Sequence, residues 1–312
     1  MKKTMINSMH GEGYIYSHDL ETKVTGAQSK NPGTEYIAGT VDIATDESMT
    51  NIISFHFSYV TATTSKGAKN RTFTVLKDII DGKLANVMDN GKDKADMITI
   101  DSSLALNEFY DKEDKLVSIK RNEGGFVNTT KELKPNLEDR HAFKADMLII
   151  GAKQVDGDPE KGTPDKLEVN GFIFNFRKEI LPVTFSVLDP AGIDYILSLE
   201  PSKSQPVFIN VWGSQISMII KKVTVEENMF GGEKVEETVS TKKDYVITGM
   251  KAPYDWDTEE TVLATEVSKA LSDREVALAD IKKRRDEYQA SKTTSSSAAT
   301  QTTAADALNW NF

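Results

Sequence analysis

The side chains in this 312-residue sequence that could do chemistry are few in kind. Four histidines, His10, His18, His56 and His141, show no HxxxH or HExxH spacing, and there is no cysteine. Neither a metal-ligand set, a thiolate zinc site nor a disulfide framework can be drawn from them, and the histidines read as surface residues. A phosphate-cradling GxxxxGK[ST] loop and a GxSxG elbow are both absent, and the acids fall in loops rather than as a fixed catalytic pair. Neither an enzyme nor a cofactor is expected. What recurs instead is an aromatic or imidazole ring near Lys or Arg. The first half offers Tyr36, His56, Lys66, Lys69, Arg71, Phe73, Phe109, Tyr110, Lys120 and Arg121; the second offers Arg177, Lys178, Trp212, Lys221 and Lys222. Rings stack on bases while Lys and Arg follow phosphates, so the combination suits a single nucleic-acid strand. Tyr36 leads because its neighbour Ile37 takes the core side. Phe73 suits the core at a helix start equally well, and Phe172, Phe174 and Phe176 share one parity that reads as core.

The elements that must hold these residues alternate with period two. Ile37, Val41 and Ile43 oppose Tyr36, Thr40 and Asp42; then Ile53, Phe55, Phe57 and Tyr59 oppose Ser54, His56 and Ser58 across a polar Asp46-Glu47-Ser48 turn. Helical spacing follows at Phe73, Leu76, Ile79 and Ile80, closed by Gly82. The pattern returns at Phe172, Phe174 and Phe176 and at Val183, Phe185 and Val187, followed by an Asp189-Pro190 cap and a helix striped by Ile193, Ile196 and Leu197. A first strand is expected over 14–24, and Met97 to Asp101 and Val207 to Val211 supply the strands after the helices. Three strands, a helix and two strands make the order of the five-stranded Greek-key barrel known as the OB-fold, so a mainly β chain with two such barrels in tandem is predicted, at 1–128 and 141–252. Residues 129–140, around Pro135, read as the linker. Unrelated β-sandwich fragments would give a similar pattern.

Beyond Pro253, Asp257 and Glu260 form a capping-box pair that opens a helix over 257–290, with an apolar seam from Val262 and Leu263 to Ile281 and Tyr288 that is expected to pack on the second barrel, the alternative being a partner helix. Residues 291–312 turn to Ser, Thr, Ala and Gln and are expected to be disordered, ending in the apolar tip Leu308, Trp310 and Phe312 beside Asp306. The net charge of −10 disfavours nucleic acid only if it is evenly spread. No apolar run is long enough to span a membrane and no apolar signal region follows Met1, so a cytoplasmic protein is expected.

The run from Gly33 to Asp46 (GTEYIAGTVDIATD), with Asn51 to Val60 after it, and Ser103 to Tyr110 (SLALNEFY) before Asp111 to Lys115, resembles OB-fold single-stranded DNA-binding proteins, particularly those of bacteriophages and mobile elements. The resemblance covers the first barrel; the second shares only its pattern. It implies a non-catalytic role in replication or recombination, single-stranded DNA as ligand, and a C-terminal tail that docks replication or recombination proteins through a final Phe. The usual tip is strongly acidic, whereas here only Asp306 and the terminal carboxylate are negative. The alternative is a tandem-β structural or adaptor protein, for example a virion component, that binds no nucleic acid.

Overall fold

A computed structural model describes residues 5–227, 233–255 and 261–299 and, within them, the side chains of all but 161, 218–227, 233–241 and 291–299. The chain is mainly β with a long C-terminal helix. In order it forms β1 (Asn7–His18), β2 (Glu21–Val24), β3 (Glu35–Ala44), β4 (Ile52–Thr61), α1 (Arg71–Ile80), the single turn α2 (Val87–Asn90), β5 (Met97–Tyr110) and β6 (Leu116–Thr130). Then come β7 (Ala142–Val155), β8 (Lys166–Phe174), β9 (Ile180–Val187), α3 (Pro190–Ser198), β10 (Val207–Glu227), β11 (Glu233–Met250) and α4 (Ala264–Ala299).

Each half closes its strands on themselves. In the N-terminal half β1 pairs with β3 and β5, β3 with β4, and β5 with β6, all antiparallel, and a short parallel contact, Phe55 opposite Asn122 and His56 opposite Glu123, joins β4 to β6. The C-terminal half repeats this circuit through β7–β8, β8–β9, β10–β11 and β10–β7, closed by the parallel bridge Val246 to Ser186. Both α1 and α3 lie between the third and fourth strands of their circuits. The local reasons match the sequence reading. Asn70 caps α1 by accepting the Thr72 N–H at 3.1 Å, and Val75, Leu76 and Ile79 are buried. Asp189 caps α3 by accepting the Gly192 N–H at 2.8 Å, with Pro190 in the first turn. On α3 Ile196 is buried, but Leu197 is exposed and Leu199 takes its place against the core.

Four further expectations change. The strand predicted over 14–24 begins at Asn7 and breaks after His18, because the chain leaves β5 and turns under β3, where Asp19 N–H donates to the Thr40 carbonyl and Leu20 is buried. The two halves are not separate bodies on a linker. Residues 131–141 are tied to the first half by Lys134 N–H to Glu12 (2.6 Å) and Arg140 to the Thr45 carbonyl (3.1 Å), and β1 pairs directly with β7 from Asn7–Ala145 to Met9–Phe143. One apolar cluster therefore runs through both halves. His141 is buried rather than on the surface, and that burial holds its pKa below the ordinary histidine value. Finally, α4 starts at Ala264 and continues through 291–299, the stretch expected to be disordered. The Phe230-Gly231-Gly232 turn, the Asp257 and Glu260 pair and the tail tip Asp306, Leu308, Trp310 and Phe312 lie outside the described residues.

The helix explains why β7 is buried on both faces. Met147 and Ile149 point into the closed sheet, while Leu148, with Phe174, Ile180 and Phe208, forms a second cluster covered by Val262, Val267, Ala270 and Leu271. Farther along, α4 leaves its own half and reaches the β5–β6 arm of the other through Arg274 on Glu108 and Arg285 and Lys282 on Asp114 (2.8 and 2.5 Å). No helix among the described residues is long and apolar enough to cross a membrane.

Candidate nucleic-acid interface

The outward face of β3 and β4 is shaped by one irregularity. Ile37 pairs with Val60 but Gly39 pairs with Phe57, so Ser58 and Tyr59 together oppose Ala38. Such a bulge shifts parity by one residue. Phe57 and Val60 keep to the inner side, and Tyr59, which strict alternation assigns to the core, turns outward and is 51% exposed. Its ring centre lies 4.7 Å from that of Tyr36, with the planes tilted by 41°. Only glycine fits at position 39. Its φ is +134°, and a Cβ there would stand 2.7 Å from the Asp19 carbonyl oxygen. The two tyrosines form one aromatic surface beside a groove of about 510 Å³ whose lining includes Asp19, Glu21, Lys23, Tyr36, His56 and Ser58, with Lys23 paired to Glu21 at 3.1 Å. His56 Nδ1 is 3.4 Å from Thr40 Oγ1.

The basic stretch sits directly at the end of this surface. Thr61 is the register partner of Tyr36, and the chain continues from it into a small ordered hairpin, with Thr64 N–H donating to the Ala68 carbonyl (2.8 Å) and Asn70 N–H to that of Ala62 (2.9 Å). Lys66 and Lys69 on it and Arg71 at the start of α1 are exposed, and none has an acidic partner among the described residues. The net negative charge is thus unevenly spread, with three cations on this edge and Asp19 and Glu21 lining the groove.

Other predicted residues are placed elsewhere. Phe73 packs against the core beside Leu76. Tyr110 is covered by α4, whose Lys282 and Arg285 stand 5.6 and 5.8 Å from the ring centre, while Phe109 beside it remains 40% exposed. Lys120 is turned between the halves. Its ammonium donates to the Thr184 carbonyl at 2.5 Å and lies over the rings of Tyr245 (5.1 Å) and Phe185 (5.7 Å). Burial, reinforced by Lys166 and opposed by Asp244, holds its pKa below the ordinary lysine value. A lysine so enclosed cannot meet a phosphate. Arg121 is paired with Glu123 at 2.6 Å. Arg177 and Lys178 lie in the β8–β9 turn, where the Arg177 guanidinium is 5.2 Å above Phe176. Trp212 covers Gly249 on β11 and lines a separate recess with His10 and Lys144. Lys221 and Lys222 are on β10, opposite Val239 and Thr238, and their side chains lie outside the description.

The residues thus brought together are Tyr36, His56, Lys66, Lys69 and Arg71, joined by Lys23 and Tyr59. Tyr59 is the residue that sequence reasoning missed, and Gly39 was the only local sign of the bulge that frees it. Among the described residues no group of three or more His, Asp and Glu stands together as a metal would need.

Comparison with known proteins gives three findings. The sequence matches the protein family described as YorF over residues 6–284. No curated protein matches it. Among solved structures it is similar to a crystal structure of a deletion mutant of the single-stranded DNA binding protein from Thermus aquaticus, with a TM-score of 0.47 and 10% identity, covering 83% of this chain and 99% of that one.

Proposed function

The chain belongs to the YorF family, a description that states no activity, and we propose that it is a non-catalytic single-stranded DNA-binding protein built on two OB-type barrels. The observation that carries this is the Tyr36–Tyr59 pair facing outward beside the cations Lys66, Lys69 and Arg71, which have no acidic partner among the described residues. Support for the barrel reading is the strand circuit itself, with its parallel closure of third to fifth strand and a helix between the third and fourth in both halves. In such barrels the face of the second and third strands is a binding face for oligonucleotides, and here those strands are β3 and β4. Bases stack on the two rings, whatever their identity, and phosphates run along the hairpin. A duplex keeps its bases stacked inside and offers the tyrosines nothing. The chemistry fits a cytoplasmic protein of replication or recombination, of bacteriophage or mobile-element type, whose apolar tip at Leu308, Trp310 and Phe312 docks partner proteins. The charge of −10 favours a second reading, a tandem-β structural or adaptor protein.

Titration of labelled oligo-dT at several salt concentrations separates the two. DNA binding predicts salt-dependent affinity, a loss of about 1–3 kcal/mol in Tyr36→Ala and in Tyr59→Ala, and a salt slope shallower by roughly two when Lys66, Lys69 and Arg71 are all neutralised, at about 0.7 per phosphate contact. Absence of binding at low salt would overturn the DNA-binding reading.

A further inference from the structure

We infer that the β8–β9 turn, residues 175–179, carries a second stacking contact for the same single strand, made by Phe176 with Arg177; this rests on the DNA-binding reading of the first face. The second half cannot use the face equivalent to β3–β4. There Asn170 and Thr184 hydrogen-bond to each other at 2.7 Å, Lys120 holds the Thr184 carbonyl, and the β5–β6 arm lies over the surface across a narrow cavity of about 400 Å³. Its occupant is already part of the chain.

What emerges from under this cover is the turn. Phe176 is 85% exposed, yet the turn beneath it is fixed: the Asn175 side-chain oxygen accepts the N–H groups of Arg177 and Glu179, each at 2.9 Å, and the Asn175 carbonyl accepts that of Lys178 at 2.9 Å. A ring carried on a turn fixed this way, with the Arg177 guanidinium 5.2 Å above one face, offers its other face for stacking with little further ordering of the backbone. A lone exposed phenylalanine would mean little by itself. Its position gives it meaning.

Phe176 and Arg177 line a cleft of about 760 Å³ between the β5–β6 arm, the turn and α4, and Arg121 and Glu123 line the same cleft. Ser58, which lines the groove beside Tyr36, donates its hydroxyl to Glu123. The two depressions are therefore neighbours, separated by this one hydrogen-bonded pair, and a strand stacked on Tyr36 and Tyr59 that crosses it passes Arg121 on the way to Phe176. Charge decides which edge it follows. Arg121 is closed on Glu123 and Arg274 on Glu108, and Asp273 on α4 also lines the cleft, so the phosphates keep away from α4 and Arg177 is the cation that meets them.

The test uses the full chain and fluorescence polarisation with oligo-dT from about 6 to about 30 nucleotides, a span chosen to bracket the site of one barrel. Phe176→Ala and Arg177→Gln are expected to leave the affinity for the shortest bound oligonucleotide unchanged and to weaken that for longer ones by on the order of tenfold, the worth of one stacked base. Length dependence identical to that of the wild type in both variants overturns the inference and leaves the first face standing. Wild-type protein that binds no length overturns the first face and this contact together. If Phe176→Ala instead dissociates a dimer in sedimentation, with oligonucleotide binding unaltered at every length, the turn is a protein interface and the inference fails.

Discussion

Asn122 bridges the two halves through buried side-chain hydrogen bonds, and replacing it with alanine gives a prediction whose size can be worked from its contacts. The side chain is 1% exposed and makes three hydrogen bonds. Its amide donates to the Ser54 carbonyl (3.0 Å) and to Gln215 Oε1 (2.8 Å), and its oxygen accepts from the Tyr245 hydroxyl (2.9 Å). Ser54 belongs to the first half; Gln215 and Tyr245 belong to the second and are themselves 4% and 2% exposed. Burial pushes the Tyr245 phenol above its ordinary pKa, so it stays a neutral donor at neutral and mildly alkaline pH. Asn122→Ala strands the Gln215 and Tyr245 groups in a site closed to water. At about 1–3 kcal/mol for each stranded group the loss is roughly 2–6 kcal/mol, a large part of the roughly 5–15 kcal/mol that holds a typical protein folded. Equilibrium urea unfolding followed by far-UV circular dichroism measures it. A single transition is expected in both proteins, since β1–β7 pairing and a continuous core bind the halves. Tyr245→Phe should cost less, because one acceptor alone is left unmet. The double variant should fall short of the sum by about 0.5–3 kcal/mol, as expected for contacting residues. A loss below about 1 kcal/mol in Asn122→Ala, or strict additivity, would refute the claim that these bonds join the halves.

Two further predictions concern the turns that shape the β3–β4 face. Asp46 is buried, which by itself raises a carboxyl pKa, but hydrogen bonds from Ser48, Thr50 and Asn51 prevail and hold it far below the ordinary carboxylate range. Because the folded-state value lies under the unfolded one, this stabilisation is complete above the ordinary range and is lost as pH falls below it. Thermal unfolding between pH 5 and pH 2, roughly the window in which carboxylates titrate, should therefore fall more steeply in the wild type than in Asp46→Asn; parallel curves would show that the carboxylate is not responsible. Gly39→Ala must place a Cβ 2.7 Å from the Asp19 carbonyl at a φ of +134°. It should cost on the order of 3 kcal/mol and, by disturbing the bulge that presents Tyr59, weaken oligo-dT binding; a wild-type melting temperature would sink the argument.

The parts of this protein legible in its sequence are those set by neighbours along the chain. Alternation in β3, β4, β8 and β9, the Asp189-Pro190 start of α3 and the glycine after α1 are local signals, and they placed both helices within two residues and in the right connections. Local parity fails where the chain is deformed or stops. Tyr59 obeys the core alternation until the bulge at Gly39 turns it out, and Phe176 shares the parity of Phe174 but lies just past the end of β8, in a turn that exposes it. The fate of the cations could not be read at all. Lys120 and Lys69 look alike in sequence, yet one is enclosed by Thr184, Phe185 and Tyr245 and the other stands in solvent. Tyr110 likewise loses its face to Lys282 and Arg285, residues far along the chain on a helix expected to rest on the second half alone. Sequence determined which residues have the chemistry to hold a strand. Which of them remain open to one was decided by contacts between segments more than sixty residues apart, for Lys120 and Thr184, and more than one hundred and seventy apart, for Tyr110 and Arg285, where no local period carries information.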